Sequence, residues 1–302
     1  MTFKGSTEII KNRYDFVLLI EAKDSNPNGD PDNNAQPRTD PITEQGIITS
    51  VCIKRKIRDA VLDLMANEPG FRIYIQNDAS LNSKDAEACA ACKVEPENLM
   101  DARKSDPGLE QKLRDWMLDE FYDLRTFGGV MTTFTKGAMN CGQITGPVQI
   151  SNGRSIDPIR ILDNSLTRKA ITTDADAEKK KTEMGAHQYI VPYGLYRAEG
   201  HISANLAKKL NHFTEQDLEL FWKAILCMFD LSISATRPGV AVRDLIVFKH
   251  ESHLGNAPAH KLFERVVVKK KDDVTEPMSY DDYIVTVDEA SLPAGVTCQH
   301  MA

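Results

Sequence analysis

The distribution of apolar and polar residues along the chain predicts strands that alternate with amphipathic helices. Residues 14–22, YDFVLLIEA, form a continuous apolar run of strand length, which is typical of a buried strand. Residues 47–66 repeat apolar side chains at helical spacing, and Thr49 or Ser50 can cap this helix. Residues 71–77, FRIYIQN, alternate as a second strand. The chain is therefore predicted to begin strand, helix, strand.

The middle of the chain predicts one helix followed by β structure. Residues 109–127 carry an amphipathic pattern that ends at the glycine pair 128–129. Residues 142–151 and the segments after them favour strands, and residues 187–204 predict a long strand. Between them, residues 174–185, DADAEKKKTEMG, are polar without an apolar period, which predicts a mobile loop tip.

The last predicted helix and strand complete the order of secondary-structure elements. Thr214 and Asp217 stand at the positions of a helix capping box, and residues 242–250 predict a buried strand. The main elements then follow the order β-α-β-β-α-β, which predicts an α+β protein with a ferredoxin-like fold, the arrangement that also underlies the RNA-recognition module.

A long insertion interrupts this unit. The ferredoxin-like part comprises residues 10–77 and 187–270, and residues 78–186 lie between its two halves. An insertion of this length is too long for a plain loop within a compact domain, so it is expected to carry structure of its own.

Composition narrows the class of protein. A chain of 302 residues can bury a full core, and it has neither an apolar run of membrane-spanning length nor a signal-peptide core near its start. We therefore expect a soluble, cytoplasmic protein that does not contact a membrane. Six scattered cysteines are expected to be reduced thiols. The net charge of −7 means that nucleic-acid binding would have to rest on local basic patches.

Two short patterns resemble metal sites without completing them. The segment DSNPNGDPDNN after the first strand begins like a calcium-binding loop, but Ala35 stands where that loop needs a bidentate carboxylate, and a strand precedes it. Cys89 and Cys92 form a single CxxC pair with no second pair nearby. We expect no metal and no cofactor.

The helix at residues 47–66 carries the most informative charges. With Ile57 at zero and about 100° per residue, Lys54, Arg58 and Arg55 fall near 60°, 100° and 160°, along one flank of the apolar stripe. Lys54 and Arg58 are a like-charge pair that an anion between them would stabilise. This flank is either a solvated helix face or a phosphate-binding surface.

A second candidate lies in the turn before the last strand of the ferredoxin-like unit. Residues 234–239, SATRPG, combine small residues with Arg237, and Arg243 follows in the strand. Such a turn can approach a phosphate closely, although any helix-to-strand turn has a similar composition. His250 and His253 are the only closely spaced histidines and are interpreted as part of a structural turn.

Several strings together resemble a known family. The chain is similar, from about residue 13 to residue 268, to the CRISPR-associated backbone subunit of the type I-C Cascade complex, in the Cas-seven family and its Csd-two subtype. The strings that carry the resemblance are NPNGDPDNNAQPRTDP, VCIKRKIRDAV, FGGVM, GPVQIS, SIDPI, YGLYRAEGHISANLA, SATRPG and VFKHESHLGNAPAHKLFERV.

The resemblance implies a fold and a set of partners. Members are shaped like a hand, with a ferredoxin-like palm, an insertion that forms a finger or web, and a β-hairpin thumb. Several copies line the spacer of a CRISPR RNA, hold its backbone and present its bases to target DNA. The partners implied are the CRISPR RNA, the target DNA through guide pairing, neighbouring copies of the chain, and the Cas-five, large and small subunits of Cascade.

The resemblance also implies which residues meet the RNA, and it implies that the protein is not an enzyme. Lys54, Arg55 and Arg58 would meet phosphates on the palm helix, and Arg168 and Lys169 would lie near the RNA in a thumb within residues 159–189. The other residues expected at the RNA are Arg38, Ser50, Arg237 and Arg243.

An enzymatic alternative comes from related complexes. Backbone subunits of type III complexes resemble this fold and use an aspartate in the loop after the first strand to cut target RNA. Asp30, Asp32 and Asp40 lie in the comparable loop here. A metal-dependent RNA endonuclease is therefore the alternative function.

Overall fold

The computed structural model describes residues 6–66, 68–77, 80–131, 142–168 and 184–302, without the side chains of residues 100, 167, 168 and 184–186. Its strands are β1 (Tyr14–Ser25), β2 (Gly29–Asp30), β3 (Gln36–Pro37), β4 (Gln45–Ile48), β5 (Gly128–Val130), β6 (Gln143–Thr145), β7 (Val148–Ile150), β8 (Gly153–Pro158), β9 (Leu162–Arg168), β10 (Met184–Ile202), β11 (Val240–His250), β12 (Val266–Lys270), β13 (Tyr283–Val287) and β14 (Val296–His300). Its helices are α1 (Ser50–Met65), α2 (Leu81–Ala91), α3 (Leu99–Ser105), α4 (Leu109–Glu120), α5 (Tyr122–Phe127), α6 (Ala204–Leu210), α7 (Glu215–Cys227) and α8 (Ala259–Phe263).

The strand β1 is the centre of the main sheet. It pairs antiparallel with β10 on one side, where Tyr14 faces Ile202, and with β11 on the other, where Tyr14 faces Lys249. Beyond β11 the sheet continues into β14, and beyond β10 it continues through β7 and β8 to β4. Since both edges of β1 are paired, its backbone polar groups find partners inside the sheet.

The side chains of β1 enter two different cores, which explains its continuous apolar run. Phe16, Leu18 and Ile20 are fully buried on the face covered by α1 and α7. Val17 and Leu19 are fully buried on the opposite face, where β12, β13 and α8 pack. Successive strand residues point to opposite faces, so a strand covered on both sides is apolar at every position.

Both predicted helix caps form. Thr49 accepts a hydrogen bond from the Cys52 amide at the start of α1. At the start of α7, Thr214 and Asp217 exchange hydrogen bonds between their side chains and backbone amides. Each cap satisfies amides that the first helical turn leaves without a partner.

The predicted strand at residues 71–77 is wrong. This segment makes a single bridge, between Arg72 and Phe121, and its amides are taken up elsewhere. The Asp123 carboxylate accepts hydrogen bonds from the amides of Tyr74 and Ile75, 2.7 and 3.1 Å away. The Asp123 side chain thus accepts the hydrogen bonds that a neighbouring strand would accept in a sheet. The strands that pair with β10 in the main sheet are instead β7 and β8.

The predicted helix at residues 109–127 is divided in two. Phe121 adopts an extended backbone conformation between α4 and α5, and Gly128, at φ 81°, ends the second helix. Helices α2 to α4 build a separate small core around Leu113, Met117 and Phe121, which are fully buried. The insertion therefore carries structure of its own.

The insertion ends in a hairpin. Strand β9 pairs with the first part of β10, from Leu162 opposite Ile190 to Arg168 opposite Met184. The predicted loop tip at residues 174–185 lies almost entirely outside the described residues. No helix in the described ranges is long and apolar enough to cross a bilayer.

Candidate nucleic-acid interface

One flank of α1 is closed by an internal ion pair, which corrects the prediction for Arg58. Its Nε lies 2.7 Å from Oδ2 of Asp123, and the two side chains are 8% and 0% exposed. The guanidinium also stacks over Phe127, 5.1 Å from the ring centroid. Since Asp123 holds the amides of residues 74 and 75 as well, Arg58 belongs to the packing between α1 and α5 and does not offer its charge to a phosphate.

The other two cations of this flank differ from each other. Arg55 pairs with Asp59 at 2.7 Å and donates from Nη1 to the Ile75 carbonyl at 2.8 Å. Lys54 lies over Phe127, with Nζ 5.4 Å from the ring centroid, and makes no ion pair within the described ranges. Burial, followed by the charge of Arg58, lowers the pKa of Lys54. The predicted trio is therefore not one surface.

The opposite flank of α1 carries a lysine that the sequence reasoning missed. Lys56 lies roughly 160° around the helix from Lys54. It is 7% exposed and has no carboxylate within ion-pair distance among the residues that the structure describes. Burial lowers its pKa, and the charge of Arg237 lowers it further. Lys56 sits at the border of the apolar stripe, where a lysine can bury the methylene groups of its side chain. This position in the sequence pattern could have indicated that Lys56 is buried.

The charges of Lys56 and of two arginines act on the thiol of Cys52. Burial raises the pKa of that thiol, and the positive charges of Arg237, Lys56 and Arg38 oppose this rise. The three cations come from different segments: the turn before β11, helix α1 and the loop after β3. Arg38 pairs with Asp30 at 3.1 Å, whereas Lys56 and Arg237 make no ion pair in the described part of the chain.

The turn that carries Arg237 is fixed to the end of β1. The Thr236 carbonyl accepts from the Asn26 amide at 2.7 Å, and the Gly239 amide donates to Ser25 Oγ at 2.8 Å. A Cβ on Gly239 would lie 2.2 Å from the Lys23 carbonyl oxygen, so only glycine allows this close approach. Arg237 therefore projects from a rigid turn.

The loop after β1 is a small hairpin docked on the start of α1. Asn28 Oδ1 accepts from both the amide and the hydroxyl of Thr49, each at 2.9 Å, and the Asn28 carbonyl accepts from the Arg38 amide. Strands β2 and β3 pair within this loop. The segment that resembled a calcium loop thus positions Arg38 beside the N-terminus of α1.

A cleft of about 480 Å³ opens between this hairpin, the Arg237 turn and the base of the β9–β10 hairpin. His187 and Tyr189 stack on its wall with ring centroids 6.0 Å apart and planes 13° from parallel. Oδ1 of Asn26, which also lines the cleft, is buried and has no hydrogen-bond partner among the described residues. Stacked rings beside Arg237, which makes no ion pair in the described part of the chain, suit a ligand that is both aromatic and anionic.

The remaining predicted residues lie in different places. The Ser50 amide, at the start of α1, donates a hydrogen bond to Oδ1 of Asn152, 2.8 Å away. Arg243 pairs with Glu21 at 3.3 Å and lies over Tyr280 on the opposite face of the sheet, so it does not share the cleft. The backbone of Arg168 ends β9, but its side chain and all of Lys169 lie outside the described residues.

The aspartates of the enzymatic alternative have separate partners. Asp30 pairs with Arg38 and accepts from the Asp32 amide. Asp40 pairs with Arg154 at 2.8 Å and accepts from the amides of Ile42 and Thr43, and these bonds, led by Arg154, lower its pKa to about 2. Within the described ranges these three carboxylates do not form a metal-binding group.

Comparison with known proteins places the chain in a family. Residues 12–288 match the family of the CRISPR-associated protein Cas7. The chain belongs to this family.

Individual relatives are more distant. A CRISPR-associated protein Cas7 of Haloferax volcanii is 26% identical over 238 residues, which cover 71% of this chain and 64% of the relative. A chain of a CRISPR RNA-guided surveillance complex in a pre-nicking state is 10% identical with a TM-score of 0.46 and covers 78% of both chains. A chain of another such complex is 11% identical with a TM-score of 0.41 and covers 78% of this chain and 68% of its own.

Proposed function

We propose that this protein is a structural backbone subunit of a type I-C Cascade complex. Several copies line the spacer of a CRISPR RNA, hold its phosphate backbone and present its bases for pairing with target DNA. Neighbouring copies and the Cas-five, large and small subunits are the other partners, and the complex acts in the cytoplasm. Membership of the Cas7 family supports this assignment.

The observation that carries the proposal is the cleft that Arg237 lines together with the stacked rings of His187 and Tyr189. Arg237 makes no ion pair in the described part of the chain, and its charge lowers the pKa of Lys56. Like charges that act on each other repel unless an anion lies between them. A phosphate in the cleft would pair with Arg237, and the adjacent stacked rings suit a nucleobase.

We also propose that the main sheet is the palm of a hand-shaped subunit. The order β11, β1, β10 and β7–β8, all antiparallel and covered by α1 and α7, supports a ferredoxin-like palm in which β7 and β8 replace the second strand. The hairpin of β9 and β10 supports a thumb, and α2 to α5 support a web.

The test replaces Lys56 and Arg237 with alanine together. If each holds one phosphate, the magnitude of the slope of log affinity against log salt falls by roughly 1.4, at about 0.7 per contact with single-stranded RNA. The matched control replaces Lys261 and Lys269, two exposed lysines on α8 and β12 on the other side of the sheet. Filter binding with unrelated RNAs of equal length measures both.

Two results would contradict the proposal. An unchanged slope in the Lys56 and Arg237 variant would remove the cleft from the RNA path. Binding of one copy per RNA, measured by analytical ultracentrifugation, would exclude a backbone role whatever the path. The proposal includes no catalysis: RNA incubated with Mg²⁺ or Mn²⁺ should stay intact, and cleavage abolished by replacing Asp30, Asp32 and Asp40 would favour the endonuclease.

A further inference from the structure

A cluster of unlike metal-binding side chains lies at the edge of the sheet, on the face opposite α1. Cys298 and His300 are two residues apart on β14, so both point to the same face. They stand opposite Phe248 and Ile246 of β11, whose side chains belong to the core on that face. Glu289 reaches them from the turn after β13.

The three side chains are close enough to share one ion. One ligand atom from each of Glu289, Cys298 and His300 lies within 4.8 Å of the other two. His300 Nε2 lies 3.1 Å from Glu289 Oε1. A thiol, an imidazole and a carboxylate are the ligand types that zinc combines, whereas calcium and magnesium prefer oxygen alone.

A buried carboxylate lies behind the histidine. Asp244 is 9% exposed, and its Oδ1 is buried without a hydrogen-bond partner in the described part of the chain. This oxygen lies 3.9 Å from Nδ1 of His300, and both residues line a cavity of about 550 Å³ with Glu289. Histidines that bind metals usually donate their second N–H to such a carboxylate, which orients the ring.

We propose that Glu289, Cys298 and His300 bind one Zn²⁺ ion through an oxygen, a sulfur and Nε2, with water as the fourth ligand. Asp244 acts as a positioning residue that accepts the His300 Nδ1–H. On binding, the Cys298 thiol loses its proton to solvent and its sulfur bonds to the metal. The ion ties the edge strand β14 to the turn after β13.

The test uses the full-length chain stripped of metal and titrated with Co²⁺, and then with Zn²⁺ in competition. We expect one ion per chain and a sulfur-to-cobalt charge-transfer absorption that Zn²⁺ removes. Cys298→Ser should abolish this absorption, and His300→Gln should weaken binding at least tenfold. Cys92→Ser is the matched control, because Cys92 is also a half-buried thiol and belongs to the CxxC pair.

Asp244→Asn distinguishes the positioning role. It should keep the charge-transfer absorption and weaken metal binding roughly 10- to 100-fold, as losses behind a metal-binding histidine do. The site is overturned if no sulfur-to-cobalt absorption forms, if Cys298→Ser retains it, or if Cys92→Ser abolishes it. RNA affinity of each variant is measured in parallel and should not change, so failure of the metal site and failure of the proposed function are separate results.

Discussion

The two flanks of α1 carry cations of the same kind in different surroundings. On one flank, Arg58 is buried against Asp123 and stacked on Phe127. On the other, Lys56 is equally buried, has no carboxylate at ion-pair distance in the described ranges, and its pKa is lowered by burial and by the charge of Arg237. On the first flank Arg58 and Arg55 have carboxylate partners, and only Lys54 makes no ion pair in the described ranges. An external anion is therefore expected mainly at Lys56 on the second flank.

This difference shows what a helical wheel can and cannot give. The wheel places Lys54, Arg55 and Arg58 on one flank correctly, because helix geometry fixes their angles. It cannot show that Asp123, which is far away in sequence, forms an ion pair with Arg58 on that flank. A cationic flank indicates a binding surface only after its internal partners are known.

Removing the Arg58–Asp123 ion pair should give the largest loss of unfolding free energy. We expect Arg58→Ala to lower the free energy of unfolding by about 3–5 kcal/mol, because it leaves the buried Asp123 charge without its partner. Urea denaturation followed by circular dichroism measures the loss. Arg55→Ala is the control, since its partner Asp59 is 32% exposed and such pairs contribute about 0–1 kcal/mol. Equal losses in the two variants would contradict the distinction.

Asp15 is a second buried carboxylate that, like Asp123, is bound by side chains of the same chain. His201 Nδ1 and His250 Nε2 lie 2.6 and 2.8 Å from its two oxygens, and Arg13 lies 3.0 Å away. His250 Nδ1 accepts from the Asn256 amide, so its Nε2 carries the proton that it donates to Asp15. Burial alone would raise the pKa of Asp15, but these three neighbours together hold it below its usual value.

A depressed pKa fixes the sign of the pH dependence. The contribution of Asp15 is fully present above the unfolded pKa of about 4 and is lost as the pH falls further. Asp15→Asn should lower the free energy of unfolding by about 1.5–3 kcal/mol near pH 7, because a charged acceptor is lost. The difference between the two proteins should shrink below about pH 4. A difference that stays constant from pH 7 to pH 3 would show that the charge is not responsible.

The sequence predicts best what local periodicity determines. The continuous apolar run of β1 and the capping box at Thr214 and Asp217 have local signals, and both form. Residues 71–77 alternate like a strand, but the Asp123 carboxylate takes their amides, which no local pattern shows. Lys56 was missed for a related reason. The charge of Arg237 lowers the pKa of Lys56, and Arg237 lies in a turn that is distant in sequence.

The start of α1 lies between the two flanks and should give an intermediate effect. Thr49 caps the helix and also donates its hydroxyl to Asn28, which joins the helix to the hairpin of β2 and β3. We expect Thr49→Ala to cost about 1 kcal/mol of unfolding free energy, as the loss of an N-cap does. Thr49→Ser keeps the hydroxyl and should recover most of this loss. If Thr49→Ser is as unstable as Thr49→Ala, the methyl group matters and the cap does not.

Single substitutions of Lys54 and Lys56 should give the smallest effects, and they distinguish the two flanks of α1. Both are partly buried lysines of α1 without an ion pair in the described ranges, and burial lowers the pKa of each. If the RNA follows the open flank, Lys56→Ala should reduce the magnitude of the salt slope by about 0.7, whereas Lys54→Ala should leave it unchanged. Filter binding across a salt series measures both slopes, and urea denaturation checks that both variants are folded. A reduced slope in Lys54→Ala alone would place the RNA on the flank of Arg58 and Asp123, because Lys54 makes no ion pair there with the described residues.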